Sequence, residues 1–178
     1  MSRTVFNLSG AAILAVLLGG CGLTQTVADG TRSTAKSVFY KQVKTLHLDF
    51  TGRAVVNADL ADMTGLSVPT VVRVYQLRDN RIVDKATYDA LLSDADNVLR
   101  ADLLDQRAVV VRPEEGAQLN MPLDRAARFV TAVALVRTPD AQLNTWRLTL
   151  TRDDLDPDRA RVIELGSNRL TLKPLAED

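Results

Sequence analysis

The residues best placed to do chemistry lie near the N-terminus, where Leu18-Gly19-Gly20-Cys21 closes a short apolar run and holds the only cysteine of the 178-residue chain. Arg3 supplies a small positive n-region, Ala11 to Leu18 an apolar h-region, and Gly19 and Gly20 the small residues before a cut, which are the parts of a signal peptide in their proper order. A thiol there takes a diacylglyceryl group as a thioether, and the N-terminus released by cleavage takes an acyl chain. At about 0.8 kcal/mol per buried methylene, several such chains hold a folded domain on a bilayer nearly permanently. The rival reading, a membrane-spanning anchor, fails on length, because the apolar stretch from Gly10 to Leu23 is well short of the roughly 20 residues a spanning helix needs. Gly22 stands where an aspartate would signal retention at the inner membrane of enteric bacteria. The expected address is therefore the outer membrane of a Gram-negative cell, facing the periplasm, with no cofactor beyond the covalent lipid on Cys21.

Little else in the chain is suited to catalysis. His47 is the single histidine, and it sits between Leu46 and Leu48 on the opposite face of an apparent strand, as a solvent-facing or lightly packed residue would. With one histidine and no spare thiol, the common zinc sites are excluded. A Ser-His-Asp triad would have to use His47, and no Gly-x-Ser-x-Gly turn accompanies it. The acid pairs Asp153 with Asp154 and Asp156 with Asp158 have the chemistry for acid-base work, but beside Pro157 they read as solvated loop acids. Removing the first 20 residues takes away Arg3 and no acid, leaving about 21 basic against 22 acidic side chains. Such a balance offers no electrostatic footprint for nucleic acid.

The elements that would carry such a protein divide into three parts: a signal peptide over 1–20, a lipidated cysteine and flexible tether over 21–36, and a folded domain over 37–178. Between Gly22 and Lys36 the composition turns to Thr, Ser, Gly and Ala, which makes a tether able to extend about 50 Å at roughly 3.3 Å per residue. Beyond Lys44 the dominant period is two. Leu46, Leu48 and Phe50 share a face; in Thr70 to Leu77, Val72 and Val74 share one face and Val71, Arg73 and Tyr75 the other. Further strands are expected at Arg107 to Arg112, Gln118 to Leu123, Phe129 to Arg137 and Leu143 to Thr151, with a final hairpin of Arg161 to Leu165 and Arg169 to Lys173 around Gly166-Ser167-Asn168. About eight short strands separated by turn signals specify a mainly β fold, a two-sheet β-sandwich. One segment breaks the pattern. From 84 to 104, Tyr88, Leu91, Leu92, Ala95, Val98, Leu99 and Leu103 recur at helical spacing, and Asp94 is placed to cap a second helix after Ser93. These helices are expected to cover one edge or end of the sandwich.

The ordered set of motifs resembles the outer-membrane lipoprotein family of the type VI secretion system, TssJ. Val68-Pro69-Thr70-Val71-Val72-Arg73-Val74-Tyr75-Gln76-Leu77 is similar to that family's second strand. Thr87-Tyr88-Asp89-Ala90-Leu91-Leu92 resembles its aromatic-acidic helix, Ala101-Asp102-Leu103-Leu104 its "DLL" segment and Trp146-Arg147-Leu148 its "WR" strand. Two pieces depart from the pattern: Arg112-Pro113-Glu114-Glu115-Gly116 is longer than the family's "R-P-G", and Val136-Arg137-Thr138 replaces "F-R-D".

The resemblance implies a transthyretin-like sandwich with a small helical insertion between the second and third strands. It also implies a scaffold, not an enzyme: a lipoprotein that pins the trans-envelope membrane complex, which includes TssL, to the outer membrane by binding the periplasmic C-terminal domain of TssM. The family makes that contact through the loop between its first two strands, here about 57 to 68. The transfer is by position, and it makes Asp59, Leu60, Asp62, Met63 and Leu66 the candidate partner-binding residues. From the residues alone, Leu60, Met63 and Leu66 either fold back on the sandwich or stand exposed within a charged rim. Two other functions fit the anchor and the sandwich. A periplasmic module binding peptidoglycan or a small ligand would show a convergent polar or aromatic pocket, and the chain's eight aromatic residues look spent on strand faces. A hydrolase would have to use the loop acids.

Overall fold

Strict alternation builds the first strand. Leu46, Leu48 and Phe50 are fully buried on one side of β1 (Thr45–Gly52), while Thr45, His47 and Asp49 lie half-buried on the other. Each such apolar side chain contributes about 1.5–3 kcal/mol on burial. The computed structural model of the protein describes residues 43–57 and 67–175. The remaining strands are β2 (Thr70–Leu77), β3 (Leu103–Val111), β4 (Gly116–Pro122), β5 (Phe129–Ala134), β6 (Arg147–Thr151), β7 (Arg161–Gly166) and β8 (Arg169–Leu172). They form two four-stranded sheets, in the orders β4-β1-β7-β8 and β3-β2-β5-β6. Every pairing is antiparallel except β1 with β7. The expected mainly β two-sheet sandwich is the observed fold.

Between the sheets lie Leu46, Leu48 and Phe50 from one side and Val72, Val74, Val130 and Ala132 from the other, all buried. Gln76 shares this inner face and is fully buried. Its Nε2 donates to the Pro122 carbonyl at 2.8 Å and its Oε1 accepts from the Asp124 amide at 2.8 Å. A buried amide is tolerated only with such partners, and here they tie β2 to the end of β4 in the opposite sheet.

The insertion between β2 and β3 is two helices, α1 (Arg81–Lys85) and α2 (Tyr88–Leu99). Thr87 caps α2, its hydroxyl accepting from the Ala90 amide at 3.3 Å, a contribution of about 1 kcal/mol. Helical structure thus begins three residues before the expected segment of 84–104 and ends five residues before its close. Leu103 and Leu104 belong to β3, where β-structure claims apolar residues that also fit a helical period. Asp94 does break the helix, with φ −148° and ψ 49°, and its carboxylate accepts from the Asn97 side-chain amide at 2.8 and 2.7 Å.

The helices cover the outer face of the second sheet and not an edge or end of the sandwich. That face carries Arg73, Tyr75, Leu77, Thr131 and Val133, and all but Arg73 of these are fully buried. Leu91, Ala95 and Leu99 of α2 are buried over them. Two outer-face arginines fasten the helices. Arg73 Nη1 donates to the carbonyls of Leu91 at 3.1 Å and Leu92 at 3.4 Å, and Arg147 donates to carbonyls at the end of α1. Tyr75 and Arg73 are therefore core and clamp beneath a helix, which is why a strand with apolar residues on both faces occurs in a half-exposed sheet.

Candidate partner-binding end

Strand directions sort the connections into two ends. β1 runs from Thr45 to Gly52, so the chain enters it at one end and leaves for the β1–β2 connection at the other, about 26 Å apart at roughly 3.3 Å per residue. The registers bring the β3–β4 turn, the β5–β6 connection and the β7–β8 turn to the same end as the β1–β2 connection.

The base of the β1–β2 connection is built from polar residues at its two stems. The Val68 amide donates to the Val56 carbonyl at 3.2 Å. Ser67 Oγ donates to the Ala54 carbonyl at 2.7 Å and accepts from the Val56 amide at 3.3 Å. Asn57 is buried in the left-handed region at φ 50°, where asparagine is better tolerated than most residues. Its Oδ1 accepts from the Arg137 amide at 2.6 Å, joining the stem to the β5–β6 connection. On the other flank the Ser167 amide donates to the Val55 carbonyl at 2.8 Å, and Asn168 Nδ2 donates to Thr138 Oγ1. Ser167 and Asn168 take φ of 50° and 60°, the two positive values a tight two-residue hairpin turn requires. Three connections are thus hydrogen-bonded to one another beneath the site.

Around this base the surface is open and mixed in charge. Arg53, Val55, Glu164, Ser167 and Arg169 line a shallow groove. Glu164 pairs with Lys173 at 2.9 Å and with Arg53 at 3.3 Å, and the Lys173 ammonium foremost holds its carboxyl below the usual range. Val55 and Leu143 are exposed at this end. Gly52, where β1 turns away, admits no side chain: a Cβ would lie 2.1 Å from the Arg112 carbonyl oxygen. The longer Arg112–Gly116 turn closes with Glu114 at φ 60° and an Arg112–Glu115 ion pair at 3.3 Å.

The candidate residues Asp59, Leu60, Asp62, Met63 and Leu66, and likewise Leu18, Gly19, Gly20 and Cys21, lie outside the described residues. What the structure defines is the frame that carries 58–66. Sequence reasoning missed Asn57, Ser67 and Thr138 as its fasteners; polar residues at a loop's two stems were the available signal. His47 is half-buried on β1, its Nδ1 2.6 Å from Asn120 Oδ1 on β4, a cross-strand partnership. Two of the four loop acids are structural as well. Asp154 accepts from the Thr151 hydroxyl and amide, each at 2.7 Å, and the hydroxyl contact foremost holds its carboxyl below the usual range. Asp156 accepts from the amides of Asp158 and Arg159. Among the described residues no three His, Cys, Asp or Glu side chains come together as a metal site.

A two-sheet sandwich with one helix-covered face and a braced loop end defines the class, a β-sandwich domain with a helical insertion. Residues 44–168 match the family described as "Type VI secretion lipoprotein, VasD, EvfM, TssJ", and the chain belongs to it. Among solved structures, a chain in "T6SS protein TssM C-terminal domain (869-1107) from EAEC" is 41% identical, with a TM-score of 0.67 over 75% of this chain and 100% of that one. A chain of "Type VI membrane complex" is 43% identical, with a TM-score of 0.70 and the same coverage. The T6SS lipoprotein TssJ1 from Pseudomonas aeruginosa is 25% identical, with a TM-score of 0.59 over 75% of this chain and 98% of that one. None of the curated proteins matches.

Proposed function

We propose that this type VI secretion lipoprotein is lipidated at Cys21, held on the periplasmic face of the outer membrane, and scaffolds the secretion system's membrane complex by binding the periplasmic C-terminal domain of TssM. The protein catalyses no reaction in this role. The observation that carries the reading is the polarity of the sandwich. The point where the chain enters β1 and the braced β1–β2 connection lie at opposite ends of β1, so the connection stands at the end of the sandwich remote from that entry. The two most similar solved chains described above support it, since they come from structures titled for TssM's C-terminal domain and for a type VI membrane complex. Within the connection, Leu60, Met63 and Leu66 would supply apolar contacts and Asp59 and Asp62 a charged rim.

Calorimetry tests this with the unlipidated chain, residues 22–178, and the purified TssM domain from the same genome. Binding at micromolar affinity or tighter, removed by Leu60→Asp with Met63→Asp while the thermal transition is preserved, is the expected result. A folded chain that does not bind would overturn it. In cells, Cys21→Ser is expected to release the chain from the membrane and stop secretion; secretion at normal expression would contradict anchoring.

A further inference from the structure

Between the break in α2 and the outer face of the second sheet lies a cavity of about 380 Å³. Asp94, where α2 is interrupted, and Asp96 line it from the helix, and Arg73 and Gln106 from the sheet. Gln106 is the register partner of Tyr75, and Tyr75 shares its face of β2 with Arg73, two positions away. The Gln106 side-chain amide donates to Asp96 Oδ1 at 2.7 Å and ties β3 to α2 along one wall. Arg73 spends Nη1 on the Leu91 and Leu92 carbonyls. Among the described residues, neither Arg73 Nη2 nor Asp96 Oδ2 has a hydrogen-bond partner, and no ion pair joins the two side chains.

Tyr75 lies beneath these groups. It is fully buried, and its hydroxyl has no hydrogen-bond partner. Arg73 and Asp96 act on that hydroxyl in opposite directions, so it stands within the field of both charges. Buried hydroxyls are nearly always bonded, and one left without a partner beside a cavity calls for a guest that supplies it. A cation and an anion that share the cavity without bridging it narrow the choice. A simple carboxylate meets Asp96 and Asp94 as like charges, and a simple ammonium meets Arg73. A molecule with both charges on one carbon fits: its carboxylate accepts from Arg73 Nη2 and the Tyr75 hydroxyl, and its ammonium donates to Asp96 Oδ2. Such charge-assisted bonds are the strong class of hydrogen bond. Ala95 and Ala108 are the cavity's apolar lining, which gives little purchase to a large side chain. We propose that this cavity binds the zwitterionic head group of an α-amino acid, free or carried on a larger molecule. It contains no residue of the β1–β2 connection, so its test is independent of TssM binding.

Calorimetry of the unlipidated chain, residues 22–178, with glycine, acetate and methylamine as probes tests the site. Glycine is expected to saturate it with a dissociation constant of about 1 mM or tighter, and acetate and methylamine, each carrying half of the head group, to bind at least about ten-fold more weakly. Asp96→Asn keeps an oxygen for Gln106 and removes the charge, so glycine should weaken about ten-fold while acetate does not. Tyr75→Phe gives a second readout. It removes a hydroxyl that bonds nothing in the protein, so the melting temperature without ligand should hold or rise while the glycine affinity falls several-fold. A peptidoglycan muropeptide with an uncrosslinked diaminopimelate residue distinguishes the sources: tighter binding than glycine assigns a head group carried on the cell wall, and equal or weaker binding a free amino acid. No saturable glycine binding, acetate or methylamine binding as tightly as glycine, or a glycine affinity unchanged in both variants would overturn the proposal and leave the cavity to water.

Discussion

The Arg147 guanidinium donates to the Val83 carbonyl at 2.5 Å, across 64 positions of sequence. It also donates to the carbonyls of Ala86, at 2.9 Å, and Asp84, while lying 5.0 Å from the centre of the Trp146 ring. A short helix leaves its C-terminal carbonyls short of partners, and one fixed planar fork reaches two of them, on Val83 and Asp84, together with that of Ala86 just past the helix end. Burial pulls the guanidinium's pKa down from its ordinary value, against the opposing pull of Asp84. Trp146 in turn meets the Tyr88 ring edge-on at 5.2 Å. The "Trp-Arg" pair thus fastens both helices to the sheet.

Arg147→Ala is expected to cost about 2–4 kcal/mol, the range for losing charge-assisted bonds and leaving carbonyls unpaired. Arg147→Lys should recover only part of it, because an ammonium cannot present the same fork. Urea unfolding checks both: the midpoint should fall in that order. An alanine variant within about 0.5 kcal/mol of the parent would show that water replaces the guanidinium at no cost.

Gln76→Met keeps the volume of a fully buried side chain and removes its polar end. The Pro122 carbonyl and Asp124 amide then lose the partner that joins the two sheets, and about 2–4 kcal/mol should be lost. Hydrogen exchange locates the effect. The Asp124 amide, which donates to Gln76, should lose protection before the amides of β5.

Burial raises the phenol pKa of both Tyr75 and Tyr88 above the ordinary 10.0, Arg73 pulling the other way in each case. A group whose folded-state pKa is raised stabilises the fold fully below its unfolded pKa, and that stability is lost as pH rises through the folded value. The chain should therefore weaken above pH about 10, tyrosinate absorbance rising together with unfolding. Tyr88→Phe removes one ionisable phenol, along with its 2.6 Å bond to the Val136 carbonyl. It should lower stability at pH 8 yet shrink the further loss between pH 8 and pH 11. An equal loss in both proteins would show that Tyr88 ionises without strain.

Alternation made the inner faces legible: Leu46, Leu48, Phe50, Val72 and Val74 are core, and each of the eight strands overlaps a stretch of period two, although β3 begins four residues before Arg107, β5 ends three before Arg137 and β6 begins four after Leu143. Period alone could not reveal that the middle of the second sheet is covered on its outer side as well. Tyr75 and Arg73 look like outward residues in the sequence, and the burial of Tyr75 and the anchoring of Arg73 depend on α2 folding back over β2, a long-range event with no local signal. Leu103 failed for a related reason, since an apolar residue four positions after Leu99 fits a helix as well as the start of a strand. At the candidate site, only the family resemblance points to the connection, and its fasteners stay hidden in the sequence. Asn57 and Ser67 are ordinary polar residues until the β5–β6 connection and the opposite stem are brought beside them.

Asn57 separates backbone strain from hydrogen bonding at the base of the β1–β2 connection. Asn57→Gly tolerates the φ of 50° and loses only the bond from the Arg137 amide, so a cost of about 1–2 kcal/mol is expected. Asn57→Ala loses the same bond and also forces an alanine into the left-handed region, adding about 1 kcal/mol. The difference between the two denaturation midpoints reports the strain, and their common loss reports the bond. Neither substitution touches Leu60 or Met63. If the braced base positions those side chains, both variants should weaken TssM binding several-fold in calorimetry at a temperature where each stays folded. Unchanged affinity alongside reduced stability would mean that the base supports the sandwich and leaves the connection to arrange itself on its partner.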